Sequence, residues 1–471
     1  MTTPGLARQS EAIVARLDAV LGDVGADERR RLVSVTVELD AELDPSAVAF
    51  SSRLAGERWF CWEQPERGLA LAGLGSAREI VSRGPNRFAD VEQECASAVR
   101  GAIVDEPDAM PPGAGPIWFG GFAFDPEGAQ APQWASLPPA LMVMPEIALA
   151  RSGDRAFLTA ALFAGDGQGD RESIDGLRRR LTSLHDAPLP LRDPSPVSEP
   201  RILSARDPGA FEASVAEATS RIEAGDFEKV VLAREVRVEA NSAHDPAAVF
   251  GALRQRFPSC FCFCVGTAEA AFLGASPELL VRRAGPIAAT VALAGTVRRS
   301  SDPAVDMHLG EQLKLSEKDR REHEIVARRI ERALAPHAVW VERADEPELA
   351  EVANVRHLAT PIHAHLAGAR SAVALAGLLH PTPAVGGEPA EAAREAIVEL
   401  EEMDRGWYAG PVGWMDAAED GEFCVALRSA LLRDRTAHAF AGGGIVAGSD
   451  PAAELAETEL KLEAIVPLLV G

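Results

Sequence analysis

Between Lys229 and Arg283 the chain reads KVVLAREVRVEA (229–240), CFCFCV (260–265), AAFLGA (270–275) and ELLVRR (278–283). Each piece is apolar, rich in β-branched or aromatic residues, and bounded by turn formers, so each reads as a strand. Cys260, Cys262 and Cys264 alternate with Phe261 and Phe263, which puts the thiols on one face of a strand and the rings on the other. Several of these strands follow one another across short links, and that favours antiparallel pairing over a repeated βαβ unit. Helical patterns flank them. Residues 208–224 place Phe211, Val215, Ala218 and Ile222 at core spacing, and further helices are expected near 312–335 and over 451–467. The fold class is α+β.

Upstream, LVSVTVEL, RWFCWEQ and LMVMPEIALA read as strands among Gly/Pro-rich loops, and SIDGLRRRLTSLH reads as a helix. Residues 187–202 carry prolines at 188, 190, 194, 196 and 200, the composition of an extended connector. The chain therefore divides into a variable N-terminal half, 1–202, and a catalytic region, 203–471, with the two halves expected to pack as one unit. The N-terminus reads as an amphipathic helix with Ile13, Leu17, Val20 and Leu21 on one side, without the features of a signal peptide. No stretch approaches the ~18 apolar residues of a membrane span. A formal charge of −24 over 471 residues repels nucleic acid and anionic lipid. The expectation is a cytoplasmic protein, monomeric or homodimeric, with no nucleic-acid or membrane partner.

Six cysteines are too few for a disulfide framework, and the Cys260–Cys264 run has no second Cys/His cluster to complete a thiolate site. Only four of the 47 basic residues are lysines, namely Lys229, Lys314, Lys318 and Lys461. Unlike arginine, a lysine can be desolvated until its neutral amine acts as a base. In the last helix Glu454, Glu457 and Lys461 form one stripe, with Ser449 or Asp450 as cap. Asp319 and Glu322 repeat the i, i+3 spacing on the earlier helix. These four carboxylates either support their helices as solvated charges or converge on a hard cation such as Mg²⁺. Gly442, Gly443 and Gly444 follow an apolar strand and form either a tight turn or a set of amides offered to an anion. Arg428 is a charge inside an apolar run, so burial requires a partner. His357 and His380 lie beside strand or turn elements, and Glu278 follows a Ser-Pro turn.

In chain order, FEKVVLAR, FLGASPELLVRR, ALAGTVRR, LSEKDRREHEIV, RHLATP, LLHPTPAVGG, DRGWYAGPVGW, FCVALRSALL, FAGGGIV and ELAETELKL cover nearly all of 203–468. Together they resemble the chorismate-utilising enzymes, and among these the isochorismate synthases. The resemblance implies an ADC synthase-like fold, with large antiparallel sheets inside and helices outside. It also implies a Mg²⁺-dependent isomerisation of chorismate, in which water adds at ring C2 while the C4 hydroxyl departs. By motif, Lys229 matches the general base and Glu278 the general acid, roles that call for pKa values pushed in opposite directions. Glu322 and Glu457 match direct Mg²⁺ ligands, while Asp319 and Glu454 match positions that hold metal-bound waters. Arg428, Lys461 and the amides of Gly442 and Gly444 match the groups that hold substrate carboxylates. Gly295, Thr296, His357, Thr382 and Tyr408 match pocket positions; Lys314 and Lys318 match none and are expected to be solvated.

Two other readings compete. A salicylate synthase makes isochorismate and then eliminates pyruvate, but Pro383-Ala384-Val385 resembles the isochorismate synthase form of that loop. GGEPAEAA after it departs from the pattern of the aminating members. A non-catalytic chorismate sensor would have no need of Lys229 and Glu278. The long N-terminal half leans towards the menaquinone type over the siderophore type.

Overall fold

The structure, a computed structural model, describes residues 4–22, 30–39, 43–165, 168–191, 200–352 and 355–470. At its centre lie two sheets of 13 and 10 strands. In the first, strands Arg201–Ser204, Lys229–Glu239, Thr436–Ile445, Ser429–Arg433, Ala271–Ser276 and Phe261–Gly266 lie side by side. The sheet then continues through Trp59–Gln64 and Leu69–Leu74 into the N-terminal half. The second sheet passes from Val355–Leu366, Ile287–Arg298, Leu279–Ala284, Gly421–Val425 and Pro411–Asp416 to Ile117–Phe122 and Ala140–Met144. Both sheets therefore run across the 202/203 boundary. Among the described residues the pairings are antiparallel except that of Arg31–Leu39 with Ile103–Asp105.

The alternation along Cys260–Val265 decides which core each side chain joins. Phe261, Phe263 and Val265 enter the core between the sheets, where Phe60 of the first stacks on Phe119 of the second at 4.3 Å. Cys260, Cys262 and Cys264 face a second core, which includes Leu6, Ile13, Leu17, Val48 and Phe250 from helices Pro4–Gly22, Pro45–Ser52 and Pro246–Arg256. All six thiols are buried and free, and burial pushes the Cys262 and Cys264 thiols well up, so they are inert packing groups. Leu17 and Ile13 seal the N-terminal helix against this core, with Val20 and Leu21 half-buried beside them.

Several boundaries differ from the sequence reading. The helix expected over 312–335 is two helices, Pro303–Leu315 and Glu317–Leu334, broken at Ser316. Ser316 has extended backbone, and its hydroxyl accepts from Asp319 N, so it ends one helix and caps the next. The last helix stops at Leu462, short of 467, and only a single 3₁₀ turn, Val466–Leu468, follows around Pro467. Its cap is Asp450, which accepts from Ala453 N. LMVMPEIALA is two strands, Ala140–Met144 and Ile147–Ser152, parted at Pro145 and belonging to different sheets. Gly442–Gly444 lie within the strand Thr436–Ile445 and are not a turn after it. Of the proline-rich connector, residues 192–199 lie outside the described residues.

Candidate active site

The site forms where the chain crosses between the sheets. After strand Ala271–Ser276 of the first sheet, Pro277 cannot extend the ladder, and Glu278 falls at the crossing into Leu279–Ala284 of the second. Ser276 Oγ donates to Val425 O at 2.5 Å and accepts from Glu278 N at 3.2 Å, while Val425 N donates to Glu278 O at 3.0 Å. The return crossing, Ala426–Leu427–Arg428, joins Gly421–Val425 to Ser429–Arg433. Arg428 adopts φ +48°, a left-handed conformation that costs a non-glycine residue roughly 1–3 kcal/mol. That strained backbone aims a guanidinium into the gap between the sheets.

A cavity opens there. Its wall includes Glu278, Gly295, Thr296, His357, Tyr408, Arg428, Gly442, Gly444 and Lys461, together with Asp319, Glu322, Glu454 and Glu457 from the helices Glu317–Leu334 and Pro451–Leu462. Lys229 stands just behind this wall, 0% exposed, with Nζ donating to Glu322 Oε1 at 2.9 Å. Thr382 lies behind Glu278 and donates to its Oε1 at 3.5 Å. Every residue singled out as catalytic, metal-ligating or substrate-holding is therefore in or against one cavity. His380 is not; its Nε2 lies 2.9 Å from Phe124 O in the core.

Gly295 forms a bulge between Ala294 and Thr296, with φ +73°, and lets the strand pass close to Asp319. Gly444 permits another close approach, because a Cβ there would lie 2.5 Å from Glu322 Oε1 and 3.2 Å from Lys229 Cε. The strand pairing settles which amides are offered. Val231 N donates to Gly386 O, and Ala233 N to Glu401 Oε1, both away from the glycine strand. Their partners Gly444 and Gly442 are thus the non-hydrogen-bonded pairs and turn N–H and C=O to the other edge. Lys461 uses that edge, donating to Gly442 O at 2.8 Å while it pairs with Glu457 Oε1 at 2.7 Å.

Burial pushes the Glu278 carboxyl up to about 7, against the opposing pull of Lys229, Thr382 and Lys461. Near neutral pH it is a donor as often as an acceptor. Burial, with Arg428 and Lys461, drives His357 down to about 3. Its neutral ring lies with Nδ1 3.2 Å from Gly295 O and 3.0 Å from Thr296 Oγ1, which places the proton on Nδ1 and leaves Nε2 facing Arg428 at 3.4 Å. Burial raises the Tyr408 phenol to about 12, so it stays protonated. Arg428 keeps one buried nitrogen, Nη1, with no partner. A desolvated guanidinium in a cavity wall suits an anionic partner.

Among the described residues, no three Asp, Glu, His or Cys side chains stand close enough together to hold a metal ion as they are. Lys229 engages Glu322 and Lys461 engages Glu457, which keeps both carboxylates on their lysines. The donor type nevertheless fits a hard cation. The carboxyls of Asp319 and Glu454 are raised by burial and then by facing carboxylates, Glu322 and Glu457 for the first and Glu457 for the second. A cation bound among them would relieve that repulsion. At Glu457 burial acts upwards, but the Lys461 ammonium outweighs it and holds the carboxyl low.

Lys318, expected to be solvated, is exposed; its side chain also reaches the cavity rim, 3.4 Å from Glu454 Oε1. Lys314 is exposed and outside the cavity. The apolar part of the wall includes Leu293, Ala384, Val385 and Leu427; they fall within the quoted motifs, but their place in the wall emerges only from the packing.

Two sheets enclosing a cavity with an acid, a buried lysine and an anion-seeking arginine define an enzyme for a small anionic substrate. The family described as chorismate binding enzymes matches residues 18–470, and the chain belongs to it. The salicylate biosynthesis isochorismate synthase of Pseudomonas aeruginosa is 39% identical over 462 residues, 96% of this chain and 93% of that one. Isochorismate synthase MenF of Bacillus subtilis is 33% identical over 425 residues, 89% of each chain. The solved structure of MenF, the menaquinone-specific isochorismate synthase from Escherichia coli, shares the fold with a TM-score of 0.80 at 27% identity, covering 98% of this chain and 100% of that one. Anthranilate synthase component I from Streptococcus pneumoniae shares the fold at a TM-score of 0.66 and 21% identity, covering 86% of this chain and 93% of that one. No helix among the described residues is long and apolar enough to cross a membrane.

Proposed function

We propose that the protein is an isochorismate synthase that converts chorismate to isochorismate. The observation that carries this reading is Glu278, a buried carboxyl raised to about 7 in a cavity that Arg428 and Lys461 also line. The relatives named above, two of them aligned over most of this chain, support it. In this reading Arg428, Lys461 and the Gly442 and Gly444 amides hold the substrate's carboxylates. Lys229 is the group that takes a proton from water as the water oxygen bonds to ring C2. Glu278 gives its proton to the C4 oxygen as that bond breaks, so one water enters, one leaves, and composition is unchanged. Glu322, 2.9 Å from Lys229 Nζ, stabilises the ammonium formed. His357, neutral, orients Arg428 without adding charge.

Mg²⁺ is the metal we assign to this reaction, with Glu322 and Glu457 as its direct ligands and Asp319 and Glu454 holding its waters. When bound, it would supply positive charge that offsets the four carboxylates. The product would feed menaquinone or a catechol siderophore. The chain's length does not choose between them, because the salicylate-biosynthesis relative and menaquinone-specific MenF both match nearly all of it.

The test is chorismate and Mg²⁺ with the purified protein, products followed by HPLC with and without EDTA. An equilibrium mixture of chorismate and isochorismate, abolished by EDTA and restored by Mg²⁺, is expected. Salicylate and pyruvate in equal amounts would make the protein a salicylate synthase. No turnover, with chorismate still raising the melting temperature, would make it a sensor.

A further inference from the structure

Arg405 is not part of the wall of this cavity, yet it joins three parts of the site. Its side chain is 3% exposed. Nε donates to Glu401 Oε2 at 2.9 Å, Nη1 to Val385 O at 2.8 Å, and Nη2 to Val231 O at 2.9 Å and to Glu401 Oε1. Glu401 in turn accepts Ala233 N at 2.7 Å. The guanidinium also lies over Phe124, its Cζ 4.2 Å from the ring centre.

The two backbone acceptors belong to the strand that carries the proposed base and to the loop that stands behind the proposed acid. Val231 and Ala233 lie on the strand Lys229–Glu239, two and four residues from Lys229. Val385 closes the short loop begun by Thr382, through Val385 N and Gly386 N donating to Thr382 O at 3.1 and 2.9 Å. Thr382 is the hydroxyl donor to Glu278. The same loop continues into Gly387–Glu388, which pairs with Lys229 and Val230. One planar fork thus fixes the loop behind Glu278 to the strand of Lys229, and it does so with a bidentate carboxylate partner that holds its own orientation.

We infer that Arg405, oriented by Glu401, is a positioning residue that sets the spacing between the Glu278 acid and the Lys229 base across the substrate ring. The inference rests on the proposed isomerase activity. The side chain touches neither substrate nor reacting atoms, and its effect falls on the chemical step and not on carboxylate binding, which Arg428 and Lys461 carry.

Arg405→Lys tests it, because an ammonium keeps the charge but cannot span Glu401, Val385 O and Val231 O in one plane. The expected result is a folded protein whose kcat falls about 10- to 100-fold with KM changed less than about threefold, the signature of lost alignment. If this variant does not fold, Glu401→Gln keeps an acceptor for Ala233 N, loosens the fork and carries the same test. Unchanged kcat in the folded variant, or a rise in KM at constant kcat, overturns the inference. So does a lowered melting temperature with normal turnover per folded molecule, which would make the pair purely structural. A wild-type protein silent on chorismate would instead overturn the proposed function.

Discussion

Arg428 shows how much one backbone conformation contributes. Held at φ +48° between two strands, it sets a desolvated guanidinium in the cavity wall. Arg428→Lys removes the fork, and the loss of a charge-assisted bond of about 1.5 kcal/mol predicts an increase in KM of about tenfold with kcat little changed. Steady-state kinetics on chorismate measure it. Glu278 sets the pH dependence. Its carboxyl is raised to about 7, so it is protonated below that value, and the acid-competent fraction is lost as pH rises through it. The profile of kcat/KM should therefore fall on the alkaline side of about 7; a profile level to pH ~9 would exclude this acid. The same group contributes to stability below the ordinary carboxylate range, and that contribution disappears as pH climbs to about 7. The identities of these residues were legible as motif matches. Their environment was not, because the burial that raises Glu278 and the opposing pull of Thr382 and Lys461 come from segments distant in sequence.

At the scale of elements, the glycine strand and the two acidic helices work as a unit. The strand has no side chain at Gly444, so the Glu322 carboxylate and the Lys229 stem come against its backbone. Gly444→Ala places a methyl 2.5 Å from Glu322 Oε1, and turnover should drop about 100-fold while the circular dichroism spectrum is kept. Titration with Mg²⁺ should show weaker activation in the same variant. The i, i+3 spacing of Asp319 with Glu322 and of Glu454 with Glu457 was readable because it is local. The break at Ser316 was also readable, since SEKD is a serine followed three residues later by an acid, the pattern of a helix start. It was missed because the flanking segments share one helical pattern. The placement of Gly442–Gly444 inside a strand was not legible, because three glycines argue for a turn and only the pairing with Val231–Ala233 overrides that preference.

For the whole molecule, interleaving of the halves is what builds the cavity's frame. Phe261–Gly266 pairs with Trp59–Gln64, and Pro411–Asp416 with Ile117–Phe122. A chain of residues 203–471 alone would leave both edges open and the Phe60 and Phe119 side of the core missing. It should aggregate or remain unfolded, whereas the full chain should melt as one unit; circular dichroism and light scattering distinguish these outcomes. The proline-dense connector read as a boundary because proline density is local, while strand partnership across it is not. The molecule's net charge of −24 also opposes a dianionic substrate at long range, so capture depends on the local Arg428 and Lys461 charges and the assigned Mg²⁺. What the cavity then does is the central claim: water attacks C2 while the C4 hydroxyl leaves. The most direct measurement runs the reaction in water enriched in heavy oxygen and reads the mass of the product. Isochorismate carrying the heavy oxygen at its C2 hydroxyl is the expected result; unlabelled isochorismate, formed by transfer of the substrate's own hydroxyl, would contradict it.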